Sequence, residues 1–134
     1  MNQISIPVVK LPNSYDLPLP SYPYELASDM TLTAAINNSI RIPPKERTLV
    51  PTGLIIALPT GIEAQIRTHS QSAFEKGLVV CDSPSSIDPT FRDEIKCLLL
   101  NTSDEVVIIK RGQAIASLHF APVITAAWNE MHAE

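Results

Sequence analysis

No apolar run in this sequence approaches the length of a membrane span. Runs such as Leu54–Leu58 and Cys97–Leu100 are a handful of residues each, against roughly 20 for a transmembrane helix. The N-terminus has no basic flank followed by an apolar core, so no signal peptide is expected. Basic residues are few and scattered, ten Lys and Arg against fourteen Asp and Glu, for a net charge of −4. Binding to duplex DNA draws largely on counterions released by a basic face, so no nucleic-acid partner is expected. An anionic small molecule remains compatible, since one Arg and a few backbone N–H groups can hold a phosphate. The two cysteines, Cys81 and Cys97, lack metal-ligand spacing and His neighbours. Both lie in apolar runs, which points to reduced core thiols and against a zinc site or a disulfide. A soluble cytoplasmic protein is the expectation.

What the sequence does hold is a core. Hydrophobic residues make up 45% and charged ones 18% of 134 residues, enough for one domain spanning 1–134. Twelve prolines against four glycines argue for short strands joined by turns, not long helices. Val8–Leu11 reads as a first strand, and 12–23 as extended chain crossing a surface. Thr31–Ile36 alternates modestly, and Thr48–Pro51 and Leu54–Leu58 flank a turn at Thr52 and Gly53. In Ile62–Arg67, apolar Ile62, Ala64 and Ile66 alternate with Glu63, Gln65 and Arg67, giving one buried and one wet face. Phe91–Asn101, Val106–Lys110 and Ala114–Val123 complete the strands. Only Ser70–Lys76 favours a helix, with Ser70 as N-cap, Ala73 and Phe74 packed inward and Gly77 as C-cap. Many short strands with one stub helix predict an all-β sandwich or barrel.

Three segments carry a family resemblance: Arg47 to Pro59 (RTLVPTGLIIALP) continuing through Gly61 to Arg67, Ser86 to Ile95 (SIDPTFRDEI), and Arg111 to Val123 (RGQAIASLHFAPV). In one register from about Lys10 to about Trp128, the chain resembles the trimeric dUTPases. That resemblance implies a distorted jelly-roll β-barrel of the β-clip type, with three copies around an axis. It also implies active sites shared between subunits, where water positioned by a carboxylate attacks a Mg²⁺-bound triphosphate.

Carried over residue by residue, the motifs differ in how well they match. Thr31 stands where the first motif has an acidic residue near the metal, and a hydroxyl is a weaker ligand for a hard cation. Neighbouring Asp29 compensates only if the turn is rebuilt; otherwise it is a solvated turn residue. Thr68-His69-Ser70-Gln71 stands for Pro-Arg-Ser-Gly, so His69 replaces a multidentate Arg and Gln71 a residue without a side chain. Asp88 matches the water-activating carboxylate; its plain alternative is a turn residue ahead of Pro89. Phe91 replaces the Tyr that packs on deoxyribose and keeps its flat apolar face. Asp82 replaces the Asn of the uracil-recognising hairpin, while Ser85 and Asp93 replace glycines. Ala114 and Ser117 replace the Arg and Gln of the fourth motif. The fifth, a Gly-rich arm, has no counterpart before Glu134.

These replacements predict a homotrimer with lost or strongly reduced dUTP hydrolysis, serving as a pyrimidine-nucleotide-binding or protein-interaction module. The competing reading is an active dUTP diphosphatase that uses Mg²⁺ and an atypical site built on Asp88. A purely structural β-barrel is the third. A related dCTP deaminase would need an Arg-Ser-Ser-type segment that is missing.

Overall fold

The computed structural model describes residues 3–133. Eleven strands and one α-helix are recorded among them. The chain enters through β1 (Val8–Lys10) and passes a 3₁₀ turn at Pro12–Ser14 within the proline-rich segment. It continues through β2 (Met30–Thr33), β3 (Ile40–Ile42), β4 (Arg47–Pro51), β5 (Leu54–Ile56) and β6 (Ile62–Thr68). Helix α1 (Ser70–Lys76) follows, then β7 (Leu78–Val80), β8 (Ser85–Ile87), β9 (Lys96–Asn101), β10 (Val107–Ile109) and β11 (Ala114–Pro122).

These strands form a jelly-roll-like fold whose sheets are not closed into a barrel. A four-stranded sheet runs β2-β11-β6-β8, and a three-stranded one runs β4-β9-β7. Two ribbons, β1-β5 and β10-β3, flank them, and every pairing is antiparallel. Alternation explains the core. Ala64 and Ile66 of β6, Leu118 of β11 and Leu32 of β2 point inward and are buried, as are Cys97 and Leu99 of β9. Their neighbours Glu63, Gln65 and Arg67 are only partly covered, as the two-residue period requires.

Two details correct the sequence reading. The N-cap of α1 is His69 and not Ser70: its Nδ1 accepts from Ser72 N at 3.4 Å and lies 2.8 Å from Ser72 Oγ. Phe74 does not pack inward but is 92% exposed, and the residue α1 buries is Ser72. The helix is therefore held by its polar cap, with Ser72 Oγ also donating to Ala114 O at 3.5 Å. Gly77 closes it in the left-handed conformation as expected.

Candidate active site

Two ends of the four-stranded sheet carry the polar residues. At one end, β6 finishes in Thr68, which ties down both sides of the turn that joins β7 of one sheet to β8 of the other. Its Oγ1 accepts from Val80 N at 3.0 Å, and its N–H donates to Ser83 Oγ at 3.3 Å. That turn holds Cys81 and Asp82, both exposed, and a cis Ser83–Pro84 peptide. Cys81 is thus a surface thiol, in contrast to the expected core position, because its backbone rather than its side chain faces the sheet: Cys81 N donates to Leu98 O at 2.8 Å. Cys97 is the buried thiol, pushed up to about 12 by burial, with the charge of Asp82 adding to the rise.

From β8 the chain runs back along β6, with Ile66 opposite Ser85 and Ala64 opposite Ile87. It then turns sharply at Asp88. Thr90 N donates to Asp88 Oδ1 at 2.7 Å, the Thr90 hydroxyl donates to the same oxygen, and Phe91 N donates to Asp88 O at 3.1 Å. The Asp88 carboxylate is exposed, and the Thr90 hydroxyl and N–H hold it below the usual carboxylate range. Beside it lies a cavity of about 530 Å³ lined by Ser85, Ser86 and Ile87 of β8, by Phe91, and by Ile66 and Leu49. Asp88 follows the lining residue Ile87 in the chain, and an ionised carboxylate can accept a proton from water.

The remaining candidates lie elsewhere. Thr31 of β2 is opposite Ser117 of β11, and Ser117 is opposite Arg67 of β6, a polar row across the outer face. Asp29 joins this row by contacting His119 Nδ1 at 2.8 Å and Arg67 at 4.0 Å through Oδ1. His69, Ser70 and Gln71 follow β6 at this same end, and exposed Gln71 donates to Glu75 Oε1 at 3.0 Å. Asp88 leaves β8 beyond the row of Ala64, and His69, just past the end of β6, is five residues on from Ala64 itself, so the two are at least about 16 Å apart at strand spacing. One chain therefore does not bring Asp88 together with His69, Ser70 and Gln71.

Among the described residues, no cluster of three or more His, Cys, Asp or Glu is arranged to hold a metal. Mg²⁺ commonly binds through one or two protein oxygens plus substrate phosphates. The residues present fit an ion that arrives on a triphosphate, not one caged by protein. Sequence reasoning missed Thr90, although Asp-x-Thr is a recognisable local turn, and the Arg67–Asp29–His119 contact, which no local pattern announces.

A family model described as dUTPase matches residues 16–134. A deoxyuridine 5'-triphosphate nucleotidohydrolase of Aquifex aeolicus is 45% identical over 123 residues, covering 92% of this chain and 82% of that one. The chain belongs to the dUTPase family. The dUTPase of a Brugia malayi Wolbachia is 43% identical over 96% of this chain and 83% of its own. A dUTPase of Staphylococcus bacteriophage 80alpha shares the fold, with a TM-score of 0.83 at 15% identity, over 98% of this chain and 99% of that one. The dUTPase of phage phi11 of S. aureus, described with a structural Mg(II) ion, superposes with a TM-score of 0.81 at 15% identity, over 98% and 99% of the two chains.

These relatives overturn the expectation of a non-catalytic module. Proteins named for dUTP hydrolysis are 45% and 43% identical to this chain over the aligned residues, which cover 92% and 96% of it. Single replaced phosphate donors weigh less than a match that runs along residues 16–134. An active dUTP hydrolase is the reading they favour.

Proposed function

We propose that this protein is a dUTP diphosphatase that converts dUTP and water into dUMP and pyrophosphate. The observation that carries the reading is the exposed Asp88, held below the usual carboxylate range by Thr90, on the segment between Ile87 and Phe91, both of which line the cleft. Asp88 takes a proton from water as the water's oxygen bonds to phosphorus. The α–β phosphoanhydride bond breaks, and pyrophosphate leaves with the bond's electron pair. The Phe91 ring stacks on the sugar, and Asp82 in the β7–β8 turn faces the base. Mg²⁺ carried on the triphosphate would neutralise its charge, and Thr31 or Asp29 would be the protein oxygens offered to it.

His69, Ser70 and Gln71 act on the phosphates of a site whose Asp88 belongs to another subunit, which makes a homotrimer the working form. The strand-length separation of these residues within one chain supports this assembly. So does the apolar surface left open: a groove bordered by Tyr22, Tyr24, Leu26, Met30 and Phe120, and side chains as exposed as Phe74 at 92%, Ile124 at 95% and Trp128 at 98%. Monomers rarely leave so much apolar surface in water.

The test is pyrophosphate release from each deoxynucleoside triphosphate with Mg²⁺. Turnover of dUTP is expected, and Asp88→Ala should lower it by about 10²–10⁴-fold, the usual contribution of a positioned base. An Asp88→Ala protein that turns over dUTP at the parental rate removes Asp88 from the chemistry.

A further inference from the structure

We propose that Thr90 is a positioning residue for Asp88, its hydroxyl and N–H together fixing one carboxylate oxygen so that the other faces the cleft. The proposal rests on the reading of Asp88 as the base and deepens it. The geometry is specific: both donors of Thr90 converge on Oδ1, with N–H at 2.7 Å, and no donor is recorded on Oδ2. An exposed carboxylate without such contacts rotates about its terminal torsion, which is broad for Asp. Two donors on one oxygen remove that freedom and leave the second oxygen as the proton acceptor. Misplacement of a reacting group by a fraction of its length is costly in rate.

No charge explains the arrangement. Arg92, the nearest cation in sequence, keeps its guanidinium on the carbonyls of Pro89 and Phe91. Asp93 is exposed on the same loop, and Glu94 Oε2 is turned away to Asn13 Nδ2 and Gly53 N at 3.0 and 2.8 Å. The lowering of the Asp88 pKa comes from the hydrogen bonds of Thr90, with a smaller part from Phe91 N–H and none from charged side chains. At neutral pH the carboxylate is ionised with or without the hydroxyl. Loss of the Thr90 hydroxyl therefore acts on turnover through orientation, and on the titration through the missing hydrogen bond.

The experiment compares Thr90→Val and Thr90→Ser with the parent. Carbon NMR titration of aspartate carboxyls, with Asp88→Asn to assign the signal, reads the pKa directly. Steady-state kinetics with dUTP and Mg²⁺ at neutral pH gives kcat and KM. Thr90→Val is expected to raise the Asp88 pKa and to lower kcat about tenfold or more, with KM within about twofold. Thr90→Ser should restore both. An Asp88 pKa unmoved in Thr90→Val overturns the proposal, and so does a moved pKa with unchanged kcat. An equal defect in Thr90→Ser does the same, because it would assign Thr90 only a packing role. Parental turnover in Asp88→Asn would instead sink the functional reading, while the titration still reports on Thr90.

Discussion

Asp82 stands exposed in the turn between β7 and β8, close enough for its charge to act on Cys97. An ionised Asp only accepts hydrogen bonds, whereas an Asn both donates and accepts. The 4-position of uracil carries an acceptor oxygen and that of cytosine an amino donor, so a carboxylate there favours cytosine. Asp82→Asn should therefore raise the affinity for dUMP relative to dCMP in calorimetric titrations. An unchanged ratio would take Asp82 out of base recognition. A second residue makes a stability prediction. Asn101 is fully buried, donates from Nδ2 to Ile42 O and Glu105 O at 2.9 and 2.7 Å, and accepts from Ser103 N and Oγ at 2.9 and 2.7 Å. Asn101→Ala strands several polar groups, and its denaturation midpoint should report a loss of about 1–3 kcal/mol. Asp88 and Phe91 were named as candidates because they sit in a matched segment. The His69 cap was not, since Ser70 beside it is the commoner capping type and only the backbone geometry decides between them.

Strands and turns were more legible than contacts. β6 stands where its period of two placed it, and β11 where the apolar run Ala114–Val123 placed it. β1, β5 and β10, three residues each, lie in the longer runs Val8–Leu11, Leu54–Leu58 and Val106–Lys110, but no such run marked the equally short β3, β7 and β8, which were missed. They exist because their neighbours supply the ladder, as β6 does for β8. The turn between β4 and β5 was read from Thr52 and Gly53, and its structural reason is sharper than the sequence suggested. Gly53 has φ +71°, and a Cβ there would lie 2.4 Å from Ser14 Cβ. Gly53→Ala must both strain a left-handed backbone and push back the proline-rich segment. A loss of at least about 1 kcal/mol is expected from the backbone alone, and chemical denaturation measures it. A variant as stable as the parent would mean that the 12–14 turn gives way freely.

At the scale of the whole molecule, the unsatisfied apolar surface predicts an assembly. Light scattering at micromolar concentration should return three times the 14.7 kDa chain mass, and a monomer mass would refute the shared site. The sequence led to the expectation of a homotrimer through its family resemblance, whereas the outward placement of side chains such as Phe74 and Trp128 shows only once the core is filled without them. The unequal placement of the two thiols has a practical consequence. Cys97 is buried on the inner face of β9 and resists ionisation, while Cys81 is exposed on the turn between β7 and β8. A disulfide reagent should thus titrate one equivalent per folded chain and two in denaturant, since the thiolate is the reacting species. The protein comes with a ready attachment point: a dye on Cys81 would sit one residue from Asp82, and its emission could follow nucleotides entering and leaving without any engineered label.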